Sequence, residues 1–240
     1  MNLGLADAVR LASEVARDGA DGPVGVAVCP PTIWLEAVAE RLKGSGVRLG
    51  AQNVHPAESG AFTGEVSAAM LSEVGARYVI VGHSERRQVF GESDAFVAQK
   101  ASAALAAGLV PIVCVGETLD ERESGDAQAT VLGQLSASLD GVDVAEASEL
   151  VVAYEPVWAI GTGQTATPDQ AQAMHAALRA ALAGRFASGA GVEILYGGSV
   201  KPGNAAELFA QPDLDGALVG GASLDAGSFA AIAAAARAAS

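Results

Sequence analysis

Along the 240 residues, short runs rich in valine, isoleucine and leucine alternate with longer stretches in which apolar residues return every three or four positions. The short runs fall at about 24–29, 47–52, 78–82, 109–115, 150–155, 192–196 and 216–220. None alternates between apolar and polar, which is the mark of strands covered on both faces, as in a parallel sheet. Between them, Leu35, Val38 and Leu42 share a helical face, as do Val66, Ala69, Met70 and Val74, and Phe96, Val97, Ala101, Ala104 and Leu105. Gly44, Gly75 and Gly108 stand just past these periodic segments, and Thr167-Pro168-Asp169-Gln170 reads as a capping box with proline at the first helical position. Strand and helix in strict alternation predict an α/β fold of one domain, residues 1–240, with a parallel sheet inside a ring of helices that closes as a (β/α)8 barrel when the units number eight.

The count stops short of eight strands. The chain opens on a helix, with Leu5, Val9 and Ala12 on one face and Leu11 and Val15 extending it, whereas every later unit begins with its strand. Seven strand signals against eight helical ones imply a barrel whose first β-strand is missing from this chain. Such a sheet keeps two unpaired edges and an open core, and the chain is expected to express poorly or to aggregate because the gap exposes apolar strand edges.

Half the residues are apolar, so a single large core is within reach. No apolar stretch approaches 18 residues, and Met1-Asn2-Leu3-Gly4 lacks the basic and apolar parts of a secretion signal, so a soluble cytoplasmic protein is expected. The formal net charge of −14 argues against nucleic acid or an anionic membrane as partner. It also means that an anionic substrate must be held by local backbone donors and a few cations; the lysines are Lys43, Lys100 and Lys201. Cys29 and Cys114 lie inside apolar runs and are expected to be reduced and buried, and their spacing fits no metal site.

Candidate chemistry gathers at the ends of the strand runs. Glu155 closes the run Leu150-Val151-Val152-Ala153-Tyr154; Pro156 stops the ladder, and small residues with two glycines lead to a new helix at Thr167. This is the layout of a hinged lid beside a carboxylate, although a glutamate at a strand end, taken alone, reads as an ordinary loop residue. His83 ends another run and opens a polar segment; a helix amino terminus there pushes the imidazole toward its neutral form, which can donate a hydrogen bond to a carbonyl oxygen. His55 and His175 read as histidines satisfied by backbone. Gly197-Gly198 and Gly220-Gly221 follow strand runs at what would be the seventh and eighth units, where backbone N–H groups can approach a phosphate. One such pair reads as a turn, while two so placed point to a phosphorylated small molecule. The long loop from Gln52 to Glu65 suggests function or an interface, and Glu85 and Glu117 read as solvated or ion-paired carboxylates.

Taken in order, Cys29-Pro30-Pro31, Ala51-Gln52-Asn53, Gly82-His83-Ser84-Glu85-Arg86-Arg87, the string from Tyr154 to Pro168, Tyr196-Gly197-Gly198-Ser199-Val200 and Val219-Gly220-Gly221-Ala222-Ser223-Leu224 resemble the triosephosphate isomerase family across nearly the whole chain. The resemblance implies a TIM (β/α)8 barrel that interconverts dihydroxyacetone phosphate and glyceraldehyde 3-phosphate through an enediolate, without cofactor or metal, usually as a homodimer. It implies that Glu155 takes the proton, that His83 polarises the substrate oxygens, and that backbone amides at Gly161, Ser199, Gly220 and Gly221 hold the phosphate. Residues 157–165 would close as the lid, Gln164 stands where many members carry lysine, and Thr63 would reach toward a partner's site. The family's first strand ends in Asn-Trp-Lys-Met-Asn, and its lysine has no counterpart here; Lys43, Lys100 and Lys201 stand elsewhere. Losing a preorganised donor of that kind costs on the order of 3 kcal/mol. The expectation that follows is a natural start upstream of Met1. A barrel that binds phosphorylated ligands without catalysis is the alternative that the absent lysine favours. A phosphate-binding barrel enzyme of the tryptophan-synthesis type is a weaker third reading, since those lack the Gly-His-Ser-Glu and lid strings.

Overall fold

The computed structural model describes residues 1–18, 22–160 and 165–239; Gly161 and Gln164 therefore lie outside the described residues. Seven strands form one parallel sheet in chain order: β1 (Ala27–Val28), β2 (Arg48–Ala51), β3 (Ala76–Val81), β4 (Val110–Val115), β5 (Val151–Tyr154), β6 (Glu193–Tyr196) and β7 (Gly216–Ala217). Each expected run overlaps one of them, and only β3 begins before its run, at Ala76. The helices are α1 (Leu5–Asp18), α2 (Leu35–Leu42), α3 (Ala68–Glu73), α4 (Ser84–Gln88), α5 (Asp94–Ala106), α6 (Leu119–Glu123), α7 (Ala127–Ser138), α8 (Pro168–Arg185), α9 (Ala205–Phe209) and α10 (Ala226–Ala239). The fold is α/β, with a curled seven-stranded sheet. Among the described residues β1 pairs only with β2 and β7 only with β6, while on the outside α1 packs against both α2 and α10.

The strands carry apolar residues on both faces because both faces are covered. Val79, Val81, Val113, Val115, Val152, Tyr154 and Ile194 join the helices in the large outer core. Their neighbours Ile80, Ile112, Cys114, Val151 and Ala153 make a smaller inner cluster, flanked by half-buried Cys29, Tyr78, Leu195 and Leu218. Cys114 is fully buried as expected; Cys29 is only partly so, and both thiols are free.

Two helical faces differ from the pattern read in the sequence. Helix α1 buries Ala8, Ala12 and Val15 while Leu5 stays exposed, because the small side chains let α1 lie close to its neighbours. Helix α3 starts later than its apolar spacing suggested: Ser67 accepts the Met70 N–H as its cap, so Ala68 and Leu71 turn inward and Ala69 and Met70 outward. The capping box at Thr167 and Gln170 forms with both of its hydrogen bonds.

His175 on α8 is fully buried against the rings of Tyr154 and Tyr196, with Nδ1 3.2 Å from the Asp213 carbonyl oxygen. Burial pushes its pKa down from 6.5 to about 4, outweighing that hydrogen bond. The unfolded chain takes up this proton near pH 6.5 and the folded chain near 4, so the stabilisation is whole above pH 6.5 and is lost as the pH falls through 4. Thermal unfolding followed from pH 7 to 4 should show this residue removing up to about 3 kcal/mol. An NMR titration in which His175 protonates near pH 6 would contradict the assignment.

Candidate active site

The parallel register builds the site. Val115 pairs with Tyr154 and Tyr154 with Tyr196, so the residues one step beyond each, Gly116, Glu155 and Gly197, lie side by side at the carboxyl ends of β4, β5 and β6. The Glu155 N–H donates to the Val115 carbonyl at 2.8 Å, and the Gly197 N–H donates to the Tyr154 carbonyl at 2.7 Å. Glu155 fits only because its neighbours lack side chains. A Cβ on Gly116 would overlap the Glu155 carbonyl oxygen, and one on Gly197 would come within 2.8 Å of the Glu155 Cγ.

The Glu155 carboxylate is almost wholly buried and meets the end of β3. There Gly82 takes φ +68°, a left-handed turn, and a Cβ on it would crowd Val97 and Arg87. The turn delivers His83 as the amino-terminal cap of α4. His83 Nε2 lies 2.8 Å from Glu155 Oε1, and the Ser84 N–H donates to Oε2, also at 2.8 Å. His83 Nδ1 accepts the Glu85 N–H at 3.3 Å, which places the ring proton on Nε2, aimed at the carboxylate.

Burial lowers the His83 pKa, but the hydrogen bond and charge of Glu155, with a smaller contribution from Glu85, outweigh it, and the net direction is upward. The helix terminus alone had suggested a downward shift; the carboxylate across the turn reverses it. The pair therefore stabilises the fold below pH 6.5, and that contribution fades as the pH rises through the raised value.

Behind the base, Glu117 is fully buried and ion-paired with Arg122, the second of the two states expected of it. Its Oε1 accepts from Tyr154 Oη at 3.0 Å, Trp158 Nε1 at 2.9 Å and Arg122 Nη1 at 3.0 Å, so it ties the segment after Glu155 to the sheet. Glu85, by contrast, is exposed as expected. Of the later glycine pairs, Gly197 stands beside the carboxylate. The Leu218 N–H donates to the Tyr196 carbonyl, joining the exits of β6 and β7, and the main-chain N–H groups of Ser199, Gly220 and Gly221 have no acceptor among the described residues. Space is open where side chains at Gly220 and Gly221 would stand. Thr63 is exposed in a loop folded on itself by His55, whose ring stacks on Phe62 at 4.0 Å. His55 Nδ1 accepts the Ala57 N–H, the backbone-satisfied state expected of it.

The structure thus brings His83 and Glu155 into contact and sets Gly197 next to Glu155. Ser84 and Gly116 were missed as contributors. Gly116 carries a usable sign, a glycine directly after an apolar strand in register with the candidate base; Ser84 acts through its N–H, which no residue identity reveals. No cluster able to hold a metal ion occurs among the described residues.

A family model described as triosephosphate isomerase matches residues 1–236. The chain is similar to a triosephosphate isomerase of Rhodopirellula baltica, 56% identical over 216 residues covering 89% of this chain and 85% of the relative. It is 55% identical over 232 residues to that of Herpetosiphon aurantiacus, covering 95% and 93%, and 61% identical over 204 residues to that of Chloroflexus aurantiacus, covering 84% and 82%.

Gly116→Ala is expected to destabilise the fold by about 3 kcal/mol, since the new methyl group has only backbone to push against. Urea unfolding of the variant measures it; a midpoint equal to that of the parent would show that the Glu155 peptide can move aside.

Proposed function

The chain belongs to the triosephosphate isomerase family, and from that premise we propose that it interconverts dihydroxyacetone phosphate and glyceraldehyde 3-phosphate by moving a proton through an enediolate. Glu155 takes the proton from one carbon and returns it to the next. His83 donates from Nε2 to the substrate oxygens. The observation that carries this reading is the 2.8 Å approach of His83 Nε2 to Glu155 Oε1: a base and a donor converge on one small volume, which a three-carbon substrate would fill in place of their mutual contact. The phosphate lies on the N–H groups of Ser199, Gly220 and Gly221, with Gly161 added by resemblance to the family. These are donors already in place, so an acidic chain with few lysines can still hold an anion. Proton transfer between adjacent carbons leaves the molecule's overall oxidation state unchanged, so the reaction calls for no cofactor. Closing the segment after Glu155 excludes water from the enediolate and limits loss of its phosphate.

The enediolate's charge is better stabilised by a facing cation. Lys43 pairs with Glu40, and Lys100 with Glu92 and Asn53, so neither supplies it. An eighth parallel strand between β1 and β7 would close the barrel and could carry such a group. The family name shared by the relatives favours this enzyme over a barrel that only binds phosphorylated ligands.

A homodimer is part of the same reading. Ile33, Phe62, Met70, Val89 and Phe90 are 75%, 46%, 55%, 73% and 66% exposed, and all lie in the segments that follow β1, β2 and β3. A second copy covering that edge would bury them together with the loop at Thr63. The free thiols and the absence, among the described residues, of any helix long and apolar enough to cross a membrane fit a cytoplasmic enzyme.

Assays with dihydroxyacetone phosphate test the catalytic reading. Activity should fall as the pH drops through an apparent pKa above 6.5, because protonated His83 holds the carboxylate in an ion pair. Glu155→Asp, which withdraws the base by about 1 Å, should lower kcat roughly a hundredfold with little change in KM. Full activity in that variant would remove Glu155 from its role. For the assembly, sedimentation at micromolar concentration should give a dimer that Phe90→Asp breaks; a parent chain that stays monomeric there would remove that part of the reading.

A further inference from the structure

Glu155 is held through its backbone as well as through its carboxylate. Its N–H is spent on the Val115 carbonyl, and two residues on the Val157 N–H donates to the Glu117 carbonyl at 3.1 Å, so the exit of β4 is the template on which residues 155–157 lie. Gly116 sits in the middle of that template, in contact with the Glu155 peptide. Its own main-chain groups are taken by one side chain: Gln134 Oε1 accepts the Gly116 N–H at 3.0 Å, and Gln134 Nε2 donates to the Gly116 carbonyl at 3.0 Å. Gln134 stands on α7, which is anchored by buried Val131, Leu135 and Ser138 and packs on α5, α8 and β4.

The clamp spans a place where packing alone does not hold the backbone. A cavity of about 160 Å³ opens between α4 and the β4 exit, lined by Ser84, Arg87, Thr118, Gln134, Glu155 and Val157 among others. Close-packed neighbours would resist a shift of the Gly116 peptide; an open cavity does not. The side-chain contacts of Glu117 hold the next residue and do not engage the Gly116 N–H or carbonyl, which are left to Gln134.

Building on the catalytic reading above, we infer that Gln134 is a positioning residue for the base: by clamping both main-chain groups of Gly116 it fixes the Glu155 carboxylate against His83 Nε2. It touches no reacting atom. Its effect on the reaction passes through the Glu155 backbone and is felt in the geometry of proton transfer, where misplacement of about 1 Å can cost a hundredfold in rate.

The test replaces Gln134 by methionine, which keeps the length and fill of the side chain and removes both hydrogen bonds. Two readouts are needed, kcat and KM with dihydroxyacetone phosphate and the His83 pKa from an NMR titration. The groups that bear on His83 are Glu155 and Glu85 at 3.9 Å, and only the first depends on the clamp. For Gln134→Met the expected outcome is a kcat lower by about tenfold, a KM within about twofold of the parent, and a His83 pKa that returns toward 6.5. Gln134→Glu keeps the acceptor for the Gly116 N–H and loses the donor, so it should fall between parent and methionine variant; it serves equally if the methionine variant does not fold. Gln88→Met, on the same cavity wall, should change neither readout. An unchanged His83 titration in the Gln134 variants overturns the inference whatever happens to kcat, as does an unchanged kcat in an active parent. If the parent proves inactive on triose phosphates, the catalytic reading fails, and the His83 titration still decides whether Gln134 positions Glu155.

Discussion

A carboxylate can be kept at the end of a buried strand, away from water, only if the residues on either side leave room for it and its oxygens find donors at once. Here the parallel register meets both conditions. It lines up Gly116, Glu155 and Gly197, and the neighbouring strand's left-handed turn at Gly82 brings the Ser84 N–H and the His83 ring to the carboxylate. Three features of the candidate site depend on that row: the direction of the His83 pKa, the attachment of the following segment through Trp158 and Glu117, and the place of Gly197 at the exit of β6.

The charge distribution fits the same arrangement. A chain with a net charge of −14 repels an anion at long range, so attraction has to come from groups that act over a few ångströms. On the catalytic reading proposed above, the N–H groups of Ser199, Gly220 and Gly221 would do so without adding titratable cations. Lys43 and Lys100 serve other ends. Lys100 is buried, bound to Glu92 at 2.5 Å and to Asn53 at 2.7 Å, and its ammonium lies over the Phe96 ring, so it welds α5 to the loop after β2.

Much of the fold was legible in the sequence, because strands covered on both faces leave unbroken apolar runs and helices closed by glycine leave punctuation. The meeting of His83 and Glu155 at the strand ends was legible too. What escaped has identifiable causes. Helix α3 turned because a serine cap overrode a weak apolar stripe, and Met70 went outward with it. Glu117 was left between a solvated and an ion-paired state because nothing local in Gly116-Glu117-Thr118 tells that Tyr154, Trp158 and Arg122, 37, 41 and 5 residues away, converge on it. Main-chain donors such as the Ser84 N–H carry no letter of their own, and a single-helix reading of His83 could not include the opposing charge of Glu155, 72 residues downstream.

The bare row at the strand ends also bears on how such a protein can drift over generations. Positions 116 and 197 have no tolerable single-step replacement while residue 155 keeps its present backbone path, because alanine, the smallest alternative, already collides with main chain at the first and with the glutamate stem at the second. On this backbone a change at either site has first to displace residue 155, so variation there is coupled to the candidate base, whereas the exposed helical faces carry no such tie.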